Sequence, residues 1–332
     1  MTPTLVFFAS GILLVLSAVA LARYADAIAE NTKIGRIWVG TILLAGATSL
    51  PELITDSSAI YFNAPNLALG DLFGSSMANM LILAIIDLMS PKKKVLHSAA
   101  FDHVLTAGLA LALTALAAIF ILLQYELSIA RISIGSLVVF LVYAGGNRSI
   151  YLHSLFRAKN NEHKAPQILS KSKLSLKRAL FGFTLVAVMI AISAPIFAWS
   201  AKEIAAITGL GNTFVGTWLV GFATSLPELA TSLAAVKMGA LDLAVGNLFG
   251  SNAINMALLL PLDILQGGNL FALADPDHVI TALFAVVLMS IGLAAIIYRA
   301  EKSTILFEPG SQLMLLIYLA ALGILYFKAV PL

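Results

Sequence analysis

The sequence predicts an all-α polytopic membrane protein of ten transmembrane helices, built as two inverted five-helix repeats. Three observations predict it. The 332 residues are 60% hydrophobic and only 11% charged, with a mean hydropathy of +0.96, whereas a soluble domain carries about 25% charged residues. Apolar runs of about 20 residues, the length that crosses a bilayer as a helix, follow one another along the whole chain. A stretch of the first half returns in the second at a fixed offset. This composition excludes an ordinary cytosolic enzyme, a disordered chain and a nucleic-acid binder. The chain has no cysteine, and therefore no disulfide, thiolate metal centre or cysteine nucleophile. Its five histidines lie at span ends or in loops.

The runs fall at 3–23, 37–60, 67–89, 101–123, 128–146, 178–200, 212–236, 242–264, 278–298 and 311–329, numbered here as spans 1 to 10. They are too long and continuous for barrel strands, which alternate apolar and polar over about 10 residues. Span 1 has no basic region before it and is long for a signal peptide, so it reads as a retained helix. Orientation follows from the basic residues, which collect on the cytoplasmic side. With both termini outside, seventeen of the twenty Lys and Arg fall on inside segments. Only Arg131, Lys202 and Lys328 fall outside. The polar stretch 147–177 is then a solvated cytoplasmic linker between a first half, 1–146, and a second, 178–332.

Val39–Asp87 aligns with Val215–Asp263 at an offset of 176 without a gap, about half the positions being identical. Ala-Thr-Ser-Leu-Pro-Glu-Leu occurs at 47–53 and 223–229. The same offset pairs Ser17-Ala18 with Ser193-Ala194, which matches span 1 to span 6. Five spans is an odd number, so the second half must enter the membrane upside down relative to the first. Inverted repeats of this kind are common in secondary transporters, whose site lies near midplane where the repeats meet. Shared scaffolding preserves apolar character; here Thr, Ser, Pro, Glu and Asn are what match.

Glu52 and Glu228 lie inside spans 2 and 7. A carboxylate at that depth costs at least a few kcal/mol and reads as functional; no basic residue lies deep in any span to pair with it. Pro51 and Pro227 precede the two glutamates. Each proline removes the helical bond to the carbonyl four residues back, freeing the oxygens of Ala47 and Ala223, with Thr48, Ser49, Thr224 and Ser225 at the same break. One such proline would read as a plain kink; two in the same motif point to a site. In spans 3 and 8, Gly70, Asp71, Gly74, Ser75 and Asn79 recur as Gly246, Asn247, Gly250, Ser251 and Asn255. The polar members are four apart and form one stripe, and the glycines let the neighbouring helix approach. Carboxylates, amides, hydroxyls and carbonyls make an all-oxygen cage, which suits a hard cation such as Ca²⁺ rather than zinc or copper.

At these motifs the chain resembles the cation/calcium exchanger superfamily, specifically the compact sodium/calcium exchangers of prokaryotes, over nearly its whole length. The resemblance implies cation positions between spans 2, 3, 7 and 8. Glu52 and Glu228 match its central carboxylates, Thr48 and Thr224 its hydroxyl or carbonyl ligands, and Ser49 and Ser225 residues lining the site. Ser75 and Ser251 match flanking sodium ligands, the carbonyls of Ala45 and Gly221 backbone sodium ligands, and Asn79 and Asn255 the central polar pair. Spans 1 and 6 would form a sliding gate. A prokaryotic plasma membrane is the implied location. The transported ions, Ca²⁺ with Na⁺ or H⁺, are the partners expected besides lipid; no cofactor or nucleic acid is implied, and no enzymatic activity.

Three positions depart from the pattern. Some relatives carry Asp where this chain has Asn255. Asp71 stands where the repeat usually has Asn, as at Asn247. Asp56 has Ser232 as its counterpart, and is either a water-facing rim residue or a second charge near the site. The expected mechanism is alternating access, with Na⁺ influx expelling Ca²⁺ and ion binding neutralising Glu52 and Glu228 so that the gate moves. Thr-Ser-Leu-Pro-Glu favours sodium; Asn255 and the extra aspartates favour a proton-coupled alternative. Channels usually surround a pore with several subunits or repeats, which fits two inverted halves less well. A protease lacks its His-Glu-x-x-His or Ser-His pair.

Overall fold

The computed structural model describes residues 3–32, 36–90, 95–98, 103–124, 127–129, 131–160, 174–207, 221–267, 270–298 and 309–329. The first part of span 7, 212–220, lies outside these residues, as do Lys33, Lys92 to Lys94, Arg299, Lys302 and 161–173 of the linker. The described chain is almost wholly helical. Eight of its helical stretches are long and apolar enough to cross a membrane, matching spans 1, 2, 3, 4, 6, 8, 9 and 10. Large apolar side chains such as Phe8, Leu16, Leu122, Phe181 and Leu316 face outward, as a surface dissolved in lipid requires.

Spans 3 and 8 form the centre, with 78% and 67% of their apolar windows buried, against 22% for span 10. Spans 4 and 9 pack on each other and on this centre, span 10 lies against spans 3 and 9, and spans 1 and 6 run along each other. Span 1 is a single helix, Pro3–Thr32, longer than its apolar run. Span 2 is not continuous. A π-helical stretch, Val39–Leu44, leads into Ala45–Thr48. The chain then breaks at Ser49 (φ −88°, ψ 4°) and restarts as Leu50–Tyr61. Span 7 breaks identically at Ser225 (φ −82°, ψ 2°) and restarts as Leu226–Lys237. In both, the proline sits in the first turn of the restarted helix, where its missing N–H costs nothing.

The repeat extends to the turns. Asn63 (φ 56°) and Gly239 (φ 79°) occupy equivalent left-handed positions after spans 2 and 7, a conformation that Gly and Asn tolerate best. Close helix approach is also visible: a Cβ added at Gly250 would collide with the carbonyl oxygen of Thr41. Only hydrogen at that position lets the π-helical stretch of span 2 lie against span 8.

Three details differ from the sequence reading. Span 5 starts as a helix at Ile134, not at 128, because Ser128–Ile129 and Ile132–Ser133 form a two-residue antiparallel pair, β1 and β2, turned at Arg131 (φ 65°). That helix continues to Asn160, so the first part of the expected linker is helical. Span 8 divides into Leu241–Ala257 and Leu259–Gln266, whereas span 3 is unbroken from Pro65 to Met89. Pro261 stands where span 3 has Ile85, and its ring cannot donate to the carbonyl of Ala257.

Two buried aspartates that end the repeat hold the outer helices. Asp87 accepts from the Leu96 amide at 2.9 Å and from Ser311 Oγ, in the first turn of span 10, at 2.6 Å. Asp263 accepts from the Ser133 amide at 2.6 Å, Ser136 Oγ at 2.7 Å and the Leu270 amide at 3.0 Å. Each carboxylate thus ties the end of a central helix to the start of span 10 or span 5. A second related pair sits at the opposite ends of the central helices. His103 Nε2 lies 3.1 Å from Asp242 Oδ1, and His278 Nε2 lies 3.2 Å from Asn66 Oδ1.

Candidate cation site

The breaks at Ser49 and Ser225 face the polar stripes of the opposite halves. Thr224 Oγ1 donates to Asp71 Oδ1 at 3.1 Å and lies 3.3 Å from Ser75 Oγ. Thr48 Oγ1 donates to Asn247 Oδ1 at 3.3 Å and lies 3.4 Å from Ser251 Oγ. Each threonine also bonds its own helix, Thr48 to the carbonyl of Ala45 at 3.2 Å and Thr224 to that of Gly221 at 3.1 Å. The carbonyls of Ala45 and Gly221 accept from Ser49 and Ser225 amides as well, so each of these carbonyls takes both an amide and a threonine hydroxyl at the break. Span 2 is therefore joined to span 8, and span 7 to span 3, by pseudo-equivalent contacts between halves.

Glu52 and Glu228 stand one turn beyond these breaks, both with no solvent exposure. They are close enough to feel each other's charge. Glu228 Oε1 accepts from Ser251 Oγ at 3.3 Å, while Oε2 has no partner. Neither oxygen of Glu52 has a hydrogen-bond partner. The Oγ atoms of Ser49 and Ser225 and both side-chain polar atoms of Asn255 are likewise buried without partners. Buried polar groups are almost always satisfied, and a carboxylate left alone at this depth is strongly unfavourable. A cluster of orphan oxygens, carboxylates among them, is the arrangement a cation completes. Among the described residues no three of His, Asp and Glu converge as a ready metal cluster; most oxygens here are neutral and come from hydroxyls, amides and carbonyls.

Thr48, Thr224, Asp71, Ser75, Asn247, Ser251, Glu52 and Glu228 are thus brought together between spans 2, 3, 7 and 8. Asn79 does not face Asn255 as a bonded pair; its Nδ2 donates to Asn252 Oδ1 at 2.9 Å. That bond leaves Asn79 Oδ1 as the free, buried atom. Asn252 was not among the expected residues because its repeat partner is Ser76, so identity across the repeat could not flag it. Asp87 and Asp263 are identical across the repeat and carry that signal, but at the ends of spans a carboxylate is ordinary and does not stand out from the sequence.

Asp56 is buried, 1% exposed, which decides between the two expectations for it: it does not face water. Its carboxyl lies within hydrogen-bonding reach of that of Asp71, although neither Asp56 oxygen nor Asp71 Oδ2 has a donor. In the second half the same two positions are satisfied. Asn247 Nδ2 donates to Ser232 Oγ at 3.1 Å and to Thr231 Oγ1 at 3.1 Å.

Comparison with known proteins agrees with this architecture. An uncharacterised membrane protein of Methanocaldococcus jannaschii is 27% identical over 263 residues, 79% of either chain. The sodium/calcium exchanger MaX1 of Methanosarcina acetivorans is 25% identical over 271 residues, 72% of this chain and 76% of that one. A solved structure of the sodium-calcium exchanger NCX_Mj, soaked with 100 mM Na⁺ and 10 mM Sr²⁺, shares the fold with a TM-score of 0.71 at 22% identity, covering 97% of each chain. The profile of the sodium/calcium exchanger protein family matches residues 2–146 and 178–327, both halves but not the linker between them. This chain is an integral membrane protein and belongs to the sodium/calcium exchanger family.

Proposed function

We propose that the protein is an antiporter that expels Ca²⁺ in exchange for Na⁺ by alternating access, with the ions held between spans 2, 3, 7 and 8. One observation carries this reading: two fully buried glutamates from opposite halves, with orphan oxygens, ringed by hydroxyl, amide and carbonyl oxygens. Two negative charges balance one Ca²⁺ or two Na⁺. An occupied site is nearly neutral and can pass an apolar barrier, whereas an empty one carries two uncompensated charges and resists the move. In this reading Glu52 and Glu228 are shared by both ions. The carbonyls of Ala45 and Gly221 with Ser75 and Ser251 flank the centre as sodium ligands, Thr48 and Thr224 close it, and Asn79 offers its free oxygen. Both termini lie outside and the linker is cytoplasmic, as the distribution of basic residues supports.

Proton coupling is the second reading, and a specific contact favours it. Two carboxyl groups facing each other present only acceptors, and the contact becomes attractive when one carries a proton. Asp56 and Asp71 make such a contact, so a proton held there would replace one transported cation. Proteoliposomes loaded with Na⁺ at equal pH on both sides separate the readings. Uptake of ⁴⁵Ca²⁺ driven by the Na⁺ gradient supports sodium exchange, and uptake only with an imposed pH gradient supports proton exchange. Uptake that persists after Glu52→Gln with Glu228→Gln defeats both.

A further inference from the structure

Two surface grooves of this protein are related by the repeat. One, of about 420 Å³, lies between span 1 and the restarted helix of span 7; Val15, Val19, Leu229 and Leu233 line it, with Arg23 and Lys237 at one end. The other, of about 460 Å³, lies on the restarted helix of span 2 and is lined by Leu53, Ile54, Ser57, Ser58, Tyr61 and Phe62. Every one of these six positions has its equivalent, 176 residues on, in the lining of the first groove. The shapes correspond while the ends do not. Tyr61 and Phe62 close the second groove, both largely exposed; Lys237 and Met238 stand at the same places in the first.

We infer that the groove between spans 1 and 7 is a binding site for an anionic phospholipid of the cytoplasmic leaflet. Charge complementarity carries the assignment. Arg23 belongs to span 1 and Lys237 to span 7, two elements far apart in sequence that bring their cations to the same end of one apolar trough. Neither cation has a carboxylate partner among the described residues, although Asp26 and Glu30 lie one and two turns beyond Arg23. Arg36 takes both of those acids, which leaves Arg23 for another anion. From Val15 to Arg23 is eight residues, about 12 Å along the helix, a length that seats the upper half of an acyl chain while the cations meet the headgroup phosphate. The distribution of basic residues puts this end on the cytoplasmic side, where anionic lipid attracts Lys and Arg. The related groove opens to the other leaflet and ends in the aromatic side chains that suit an uncharged interface. This inference uses the orientation of the chain and does not rest on the identity of the transported ions.

The test is native mass spectrometry of the full-length protein released from mixed micelles containing dioleoyl-phosphatidylglycerol and dioleoyl-phosphatidylcholine in equal amounts. Wild type retains one phosphatidylglycerol in preference to phosphatidylcholine. Arg23→Gln with Lys237→Gln weakens that retention about 30-fold, the product of two surface cations, and loses the preference. Leu233→Trp, which fills the trough and spares both cations, expels the lipid as well; Tyr61→Ala with Phe62→Ala, in the related groove, leaves phosphatidylglycerol retention unchanged. Equal retention of the two lipids by wild type overturns the inference. So does retention by the double-Gln variant equal to wild type, or displacement of the lipid by millimolar inorganic phosphate, which would mark a bare anion site.

Discussion

The two halves build the same frame and then fill the space behind it differently. Behind Thr48, in the second half, Asn247 uses its oxygen for the threonine and its amide for Thr231 and Ser232. Behind Thr224, in the first half, Asp71 uses one oxygen for Thr224 and Ser75 and leaves the other without a donor, with the Asp56 carboxyl within hydrogen-bonding reach. Thr55, the counterpart of Thr231, has no partner for its hydroxyl. An amide both donates and accepts, so it can close a ring of neutral neighbours; a carboxylate only accepts. One half is thus saturated at this shell, and the other is held open with two carboxyl groups in contact. The frame gathers the oxygens proposed to hold the ions, and the difference between halves teaches where the repeat stops being symmetric.

The largest effect is expected where the halves agree. Glu52→Gln and Glu228→Gln, singly, each remove one of the two charges that would balance a bound Ca²⁺ and leave the cation half compensated. Removing one partner of a buried ion pair costs about 3–5 kcal/mol, so Na⁺-driven ⁴⁵Ca²⁺ uptake falls by roughly 100-fold or more in either variant. Glu52 has no internal donor, whereas Glu228 has Ser251, so the Glu52 variant loses more affinity for Ca²⁺. Equal transport by wild type and either variant removes the site from these residues.

The next effect comes from making the first half like the second. Asp56→Ser with Asp71→Asn gives the first half the hydroxyl and amide of the second, with Thr55 and the introduced hydroxyl as acceptors. Removing unsatisfied buried acceptors and adding bonds contributes about 1–3 kcal/mol, so the variant unfolds at a higher temperature than wild type. Any part of Ca²⁺ exchange that depends on a pH gradient disappears, and the Na⁺-driven part remains. Unchanged proton dependence breaks the link between Asp56, Asp71 and H⁺.

How much of this was legible in the sequence depends on which interaction is at stake. The breaks at Ser49 and Ser225 were readable because proline chemistry is local: a ring removes a bond four residues back wherever the helix lies. The gathering of Thr48, Thr224, Glu52 and Glu228 was readable because the repeat duplicated them. The Asn79–Asn252 bond was not, because it joins non-equivalent positions of the two halves, and periodicity carries no information on which of several stripe residues meet. The start of span 5 was misplaced for a related reason. Residues 128–133 are apolar enough to begin a helix, yet the Ser133 amide and Ser136 hydroxyl are drawn to Asp263, 130 and 127 residues away. A distant carboxylate sets that helix start, and hydropathy cannot see it.

The paired aspartates sharpen the comparison at a smaller scale. Asp263 accepts three bonds and Asp87 two, and hydrogen bonds to a charged group contribute about 1.5–3 kcal/mol each. Asp263→Ala therefore lowers the thermal midpoint more than Asp87→Ala, and both leave the apparent affinity for Ca²⁺ within about twofold of wild type, since neither touches the site. A drop in ion affinity larger than the drop in stability would show that the outer helices transmit strain to the centre.

The smallest effect is expected at the mouths of the central helices, where His103 meets Asp242 and His278 meets Asn66. The two contacts occupy related places and differ in charge: a carboxylate at one end, an amide at the other. Asp242 also lies near enough to Arg36 to attract it, and Arg36 already binds Asp26 and Glu30 of span 1. Asp242→Asn copies the neutral mouth onto the charged one and weakens the tie between spans 1, 2, 4 and 8 there. Partly exposed ion pairs contribute about 0.2–1 kcal/mol, so the thermal midpoint falls by a degree or two, and the loss shrinks as salt screens the wild-type pairs. Asn66→Asp, which makes the converse change, places a new carboxylate beside Asp275 and Asp277 and lowers stability through like-charge repulsion. A gain in stability from Asn66→Asp would mean that His278 is positively charged in the folded protein and that the two mouths are electrostatically alike despite their sequences.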